Sequence, residues 1–159
     1  MRRISWHHRS VTLPHRQCAA AIVRNPAGQV LLVQQNYGSF AWGAPGGVVD
    51  PGETPMRAAV REAAEETGLE VELTGVIGVY LLQGGGWPDI LAHVFTAEIL
   101  RGKEHIVDVG EIARLEWREL NDLPSPMVTD VEAALADLVA GRQGVIRTVQ
   151  RTRKLPPLE

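Results

Sequence analysis

Residues 46–69 read GGVVDPGETPMRAAVREAAEETGL, and this stretch decides how the rest of the chain is interpreted. Gly46-Gly47 opens it, Glu53, Arg61-Glu62 and Glu65-Glu66 follow at fixed offsets, and Gly68 closes it. Thr54 is suited to cap a helix and Pro55 to occupy its first turn. Gly68 stands where helices commonly end in a left-handed residue. The stretch therefore predicts a helix that begins after Thr54 and ends before Gly68.

A helix turns about 100° per residue, so Glu66 lies roughly 40° to one side of Glu62 and Glu65 about 60° to the other. Ala58 joins that face and is small enough to admit a ligand, while Arg61 flanks it. Met56, Ala59, Val60, Ala63 and Thr67 fall on the opposite side and are expected to dock on a core. Like charges three and four apart destabilise a helix by a few tenths of a kcal/mol per pair. A solvated acidic face is the ordinary explanation of such a run, but it needs neither the glycine-rich entry nor Arg61. Divalent cations with oxygen ligands offset the repulsion directly. Glu62, Glu65 and Glu66 are accordingly read as metal ligands.

The segment resembles the Nudix box: Gly, five residues, Glu, seven residues, Arg-Glu, an apolar residue, any residue, Glu-Glu, any residue, Gly, apolar. Gly47, Glu53, Arg61, Glu62, Ala63, Glu65, Glu66, Gly68 and Leu69 fill it without a gap, Ala63 being smaller than the usual aliphatic. Trp42 shortly before Pro45-Gly46-Gly47, and Glu116 followed by Trp117, extend the resemblance to roughly residues 18–140. It implies a Nudix-like α/β/α sandwich with a mixed central sheet, in which the box forms a loop–helix–loop catalytic unit. It also implies metal-dependent hydrolysis of a diphosphate linkage in a nucleoside diphosphate derivative, by water attack on phosphorus. Magnesium is the expected ion, with manganese as a substitute, and the resemblance adds the backbone carbonyl of Gly47 as a further ligand. Glu53 and Arg61 are expected to brace the loop and helix by an ion pair, with Glu53 able to reach a metal through water.

A general base must stand within hydrogen-bond reach of the attacking water. Its place varies within the family, so Glu62 on the helix and Glu111 in a later loop are both candidates, with Asp108 and Glu116 behind them.

Composition is compatible with one domain over residues 1–159, with residues 1–16 and 141–159 as basic arms. The charge is unevenly spread: residues 1–49 hold five arginines and no acid, residues 50–140 hold 18 acids against six bases, and the remainder holds five bases against one acid. Basic arms settling on an acidic middle, within one chain or in a homodimer, is the simpler reading. Arginines meeting substrate phosphates is the sharper one. No run of bases with interleaved aromatics suggests nucleic acid. No apolar run approaches a membrane span, and MRRISWHHRS lacks the apolar core of a signal peptide. Cys18 is the only cysteine, which rules out a disulfide framework or zinc ribbon within one chain and suits a reducing, cytoplasmic setting.

Along the chain, Cys18–Arg24 and Val30–Gln34 read as strands around a turn. His7, His8 and His15 read as surface residues. Asn36–Trp42 is a loop with three aromatics, Tyr37, Phe40 and Trp42, which are candidates to stack on a nucleobase. Val71–Leu82 reads as one or two strands interrupted near Gly75 and Gly78, and Gln83–Pro88 as a flexible loop presenting Trp87 to the substrate or merely turning a hairpin. Asp89–Leu100 and Glu111–Trp117 read as strands and Thr129–Val139 as an amphipathic helix, with a final strand or turn in Gly144–Gln150. His93 reads as a lining or core histidine.

Substrate identity is not written in the box. A zinc-ribbon type acting on dinucleotide cofactors lacks its cysteines here, no coenzyme A signature precedes the box, and the N-terminal region common in ADP-ribose pyrophosphatases is short. Nucleoside triphosphates, dinucleoside polyphosphates and nucleotide sugars span the expected range. Two other classes compete: a catalytically silent nucleotide-sensing module, disfavoured by an intact set of box carboxylates, and a prenyl-diphosphate isomerase, disfavoured because Cys18 sits in an apolar strand.

Overall fold

A computed structural model describes residues 16–152; the expectations for residues 1–15, including His7, His8 and His15, lie outside them. Strands β1 (Arg16–Arg24), β2 (Val30–Gln35), β3 (Trp42–Gly43) and β4 (Gly46–Val48) precede helix α1 (Pro55–Thr67). Then follow β5 (Glu70–Gly84), β6 (Ile90–Arg101), β7 (Ile112–Arg118), helix α2 (Thr129–Val139) and β8 (Val145–Arg151). The strands form one mixed sheet in the order β3-β2-β1-β6-β5-β8, with β4 on β1 and β7 on β2. β1 runs parallel to β6 and β5 parallel to β8, and the other pairs are antiparallel.

β1 is apolar throughout its centre because both of its faces are covered. Successive side chains alternate across the sheet: Ala19, Ala21 and Val23 pack with Ala58, Ala59 and Ala63 of α1. Ala20 and Ile22 pack with Val131, Ala134 and Leu135 of α2. Two cores on opposite faces of one sheet make the expected α/β/α sandwich.

β1 and β2 meet at the Arg24–Val30 end of their hairpin and then part. The intervening loop fills the wedge, pairing Cys18–Ala20 of β1 with Gly46–Val48 and Val33–Gln34 of β2 with Trp42–Gly43. That splay is the cleft on which the site is built.

β5 is a single strand of 15 residues, and the glycines where interruption was expected carry register shifts at Leu73/Gly75 and Val76/Gly78. Bulges bend and twist the strand without ending it. A Cβ at Gly78 would lie 2.7 Å from the Tyr80 hydroxyl oxygen, so the glycine makes room for that ring.

Among the described residues after Gly141, Arg142 and Arg147 both meet one acid of the middle segment, Asp137. Asp137 of α2 is 1% exposed, yet its carboxylate accepts the Tyr80 hydroxyl at 2.8 Å and the Arg142 Nε at 2.9 Å. Arg147 of β8 lies 3.3 Å from the same carboxylate, and its guanidinium covers the Tyr80 ring at 5.7 Å. Burial alone would raise the pKa of Asp137, but the hydrogen bonds from Tyr80 and Arg142 and the two positive charges hold it below the ordinary aspartate range. Sequence reading had singled out only the apolar side of α2.

Candidate active site

Helix α1 begins and ends as its sequence prescribes. The Thr54 hydroxyl accepts the Arg57 N–H at 3.2 Å, and Gly68 adopts φ 70° with its N–H on the Ala64 carbonyl at 3.0 Å. The loop after β6 finishes the cap: the N–H groups of His105 and Val107 donate to the carbonyls of Thr67 and Glu66, satisfying acceptors that a helix end leaves open. The His105 ring packs so tightly on Gly68 that any side chain there would strike it.

The acidic stripe and the apolar stripe are neighbours rather than opposites. Ala58, expected on the ligand-facing side, is fully buried in the core, while Met56, expected in the core, is 51% exposed. Ala58, Ala59, Ala63, Glu66 and Thr67 are the buried residues of α1, so the buried arc is centred between Ala59 and Glu66. Glu66 is thus 8% exposed.

Arg61 gathers the remaining acids. Its Nε and Nη2 donate to the two oxygens of Glu53 at 2.9 and 3.1 Å, and its Nη1 donates to Glu62 and Glu65, each at 2.9 Å. Nη2 also reaches the Val48 carbonyl at 3.1 Å and lies 3.7 Å from Asp50. The bidentate bond from Arg61 holds Glu53 below the usual carboxylate range, while that bond and those to Glu62 and Glu65 raise the guanidinium further. The expected brace between loop and helix is present.

Glu66 is the most perturbed carboxyl of the box. Burial, and then the negative charge of Glu62, push its carboxyl up to about 8, against a hydrogen bond from the Gly46 N–H at 3.3 Å. Burial likewise raises Glu62 despite Arg61. The Glu62 carboxylate presses onto the backbone at Gly47, in space that any Cβ there would fill. That close approach explains the second glycine of the pair.

Glu66 lines a cavity of about 140 Å³ together with Gly46, Gly47, Tyr37, Gln35 and Glu111. Glu111, 45 residues further along the chain, is brought here by the pairing of β7 with β2; its carbonyl accepts the Asn36 N–H at 2.7 Å, and the Asn36 amide holds the neighbouring Val109 carbonyl at 2.8 Å. Tyr37 stands beside it, half exposed, its hydroxyl raised by burial and then by the charges of Glu111, Glu66 and Glu62. Asp108 accepts the Gly110 N–H at 2.8 Å and shapes the turn before Glu111. Glu116 pairs with Arg118 at 2.9 Å on β7. Neither lines the cavity.

Trp42 does not stand where a base could stack. It is 4% exposed, its backbone bridges β2 and the Met127 segment, and Arg118 lies 6.0 Å over its ring. The reason is the wedge between β1 and β2, which an indole fills. Phe40 and Trp87 are exposed, at 49% and 73%. Asp130, at the start of α2, was missed by sequence reading: it lines the cavity, and burial raises it. An acid in the first turn of a helix is also what the helix dipole favours, so its position alone gave no sign.

Whether these residues suit a divalent ion can be judged from their chemistry. Glu62, Glu65, Glu66 and the Gly47 carbonyl are hard oxygen donors of the kind magnesium takes, and the Glu62–Gly47 contact and the crowding at Glu66 fit a site that a cation would relieve. Among the described residues, no three acidic, histidine or cysteine side chains converge on a single point, because Arg61 draws Glu65 and one oxygen of Glu62 to itself. The donors fit in type and order, and in this arrangement Glu65 is held by Arg61.

A family model described as the NUDIX domain matches residues 14–139. The chain belongs to the Nudix family of hydrolases. It is 38% identical over 143 residues to a Bacillus subtilis protein whose name, given there provisionally, is 8-oxo-dGTP diphosphatase; the match spans 90% of this chain and 93% of that one. It is 32% identical over 139 residues to an RNA pyrophosphohydrolase from Erythrobacter litoralis, spanning 73% and 83% of the two chains. Among solved structures, a MutT Nudix hydrolase from Burkholderia pseudomallei superposes with a TM-score of 0.72 at 28% identity, covering 77% of this chain and 97% of that one. Among the described residues of this Nudix protein, no helix is long and apolar enough to cross a membrane.

Proposed function

We propose that this Nudix hydrolase cleaves a diphosphate linkage in a nucleoside diphosphate derivative by metal-assisted attack of water on phosphorus. The observation that carries this reading is the crowding of buried Glu66 and Glu62 against the glycine backbone, across one cavity from Glu111. Glu62, Glu65, Glu66 and the Gly47 carbonyl would hold the ions, magnesium by preference. When bound, such ions neutralise phosphate oxygens and lower the pKa of a coordinated water. The water oxygen bonds to phosphorus, the bridging phosphorus–oxygen bond breaks, and the leaving phosphate departs with the other half of the substrate.

Glu111 is the general base in this reading. It lines the same cavity as Glu66 on a loop tied by Asn36 and makes no ion pair among the described residues, whereas Glu62 is bonded to Arg61. Arg61 and Glu53 keep the entry loop registered on the helix, and Tyr37 offers its exposed ring to the nucleobase. The relatives' named activities, on 8-oxo-dGTP and on RNA, agree with a nucleotide-type substrate. The lone Cys18 agrees with a reducing, cytoplasmic setting.

The test is product analysis on nucleoside triphosphates, dinucleoside polyphosphates and nucleotide sugars with magnesium, beside Glu66→Gln. One class cleaved by the native protein and not by the variant supports the reading. Nucleotide binding without any cleavage would overturn it in favour of a sensing module.

A further inference from the structure

The cavity at Glu66 opens into a much larger groove of about 860 Å³, with Gln35, Tyr37, Val128 and Asp130 common to both. The far wall of that groove is built from the β5–β6 turn and the end of β8. Gly84, Gly85 and Gly86 take φ values of 79°, 71° and 79° in succession, a course that side chains rarely permit. The turn is then pinned: Arg151 of β8 donates through Nη2 to the carbonyls of Trp87 at 3.1 Å and Pro88 at 2.8 Å, and Gln83 donates to Asp89 at 2.9 Å. The outcome is an indole presented at the groove rather than folded into a core, 73% exposed. A hairpin tip with no further role needs neither three left-handed glycines nor an arginine clamp.

Arg16 lines the same groove, giving a cation outside an inner site that is otherwise acidic. We propose that this outer groove receives the second nucleoside of a two-ended substrate, so that dinucleoside polyphosphates are its preferred class. Trp87 is the stacking surface for the distal base, Arg16 faces the outer phosphates, and Arg151 is a positioning residue that acts through Trp87. The inference rests on the hydrolase reading above, in which the inner cavity handles one nucleotide. A nucleoside triphosphate has one base and leaves Trp87 without a partner. A nucleic-acid chain calls for a continuous basic track, whereas here Arg16 and Arg151 share the groove with Asp130 and Glu132.

The experiment compares diadenosine tetraphosphate with ATP for the native protein, Trp87→Ala and Arg151→Gln. The selectivity, as the ratio of the two kcat/KM values, should favour diadenosine tetraphosphate and fall about tenfold in Trp87→Ala, the scale of one base–aromatic stack. Arg151→Gln should lower it in the same direction by a smaller factor. The change should reside in KM rather than kcat, which separates a stacking role from a structural one. Binding of diadenosine tetraphosphate to Glu66→Gln, read by tryptophan quenching with and without Trp87→Phe, tests the groove independently of turnover. Trp87-dependent quenching without hydrolysis by the native protein would overturn the hydrolase reading and keep the groove. A ratio unchanged by Trp87→Ala would overturn the groove and keep the hydrolase. Faster Trp87-dependent cleavage of a 5′-triphosphorylated oligoribonucleotide would overturn the preference in favour of RNA ends.

Discussion

Each face of the sheet carries a carboxylate–arginine network, and the two differ in their charge balance. Beneath α2, one carboxylate, Asp137, sits between Arg142, Arg147 and the Tyr80 hydroxyl. Along α1, one guanidinium, Arg61, serves Glu53, Glu62, Glu65 and Asp50, and Glu66 is left with a backbone N–H alone. The first network is satisfied, and it fastens β8 and the Gly141 turn to the helix. The second holds a surplus of negative charge that the fold does not balance. Carrying charge there without a partner is unfavourable, which is why burial and Glu62 push the Glu66 carboxyl up; a fold that keeps such a group is suited to a counter-charge supplied from outside. Two networks of the same residue types thus separate by stoichiometry into an anchor and a candidate reaction centre.

That contrast can be broken at several points. The largest expected effect is on the unbalanced side: Glu66→Gln should lower kcat about a thousandfold, the loss of several kcal/mol of charge stabilisation. Its urea midpoint should stay at or above that of the native protein, because a neutral amide replaces a crowded carboxylate. Magnesium-dependent turnover at the native rate would remove Glu66 from the metal site. On the balanced side, Asp137→Asn should lose about 2–3 kcal/mol of unfolding free energy, as a charged hydrogen-bond network is cut. Turnover below the melting range should persist, and a loss of activity in a fully folded variant would mean that the two networks communicate.

Glu111→Gln should slow kcat about a hundredfold, within the range for a positioned base, with little change in nucleotide affinity. Native activity in that variant would return the base to Glu62. The smallest effect concerns acid. The Asp137 carboxyl is held below its unfolded value, so its contribution is full above about pH 4 and fades as pH falls through the folded value. The stability gap between native protein and Asp137→Asn should therefore shrink below about pH 4, and a gap that widens there would reverse the assigned shift.

Much of this was legible in local pattern. The limits of α1 follow from Thr54, Pro55 and Gly68, and Thr129–Val139 is a helix as its apolar spacing predicts. The Arg61–Glu53 brace lies within one local segment. Other features were hidden because their partners are distant. Trp42 resembles its loop neighbours Tyr37 and Phe40 in sequence, and only the wedge between β1 and β2 buries it. Asp137 reads as one more solvated helix acid until Tyr80, Arg142 and Arg147 surround it. Ala58 and Met56 exchanged places because helical rotation states which residues share a face, while the docking of the helix on the sheet determines which face is covered.

The sequence alone determined which groups could meet within one helix. Spacing of three and four residues puts Glu62, Glu65 and Glu66 on one arc, and paired glycines let a carboxylate approach the backbone, because both are matters of local geometry. Only the tertiary structure decided that Glu66 faces Glu111 across the parting of β1 and β2. It alone decided that Arg151 holds Trp87 from 64 residues away. Sheet register and side-chain packing join such residues, and neither has a period that a single segment can display.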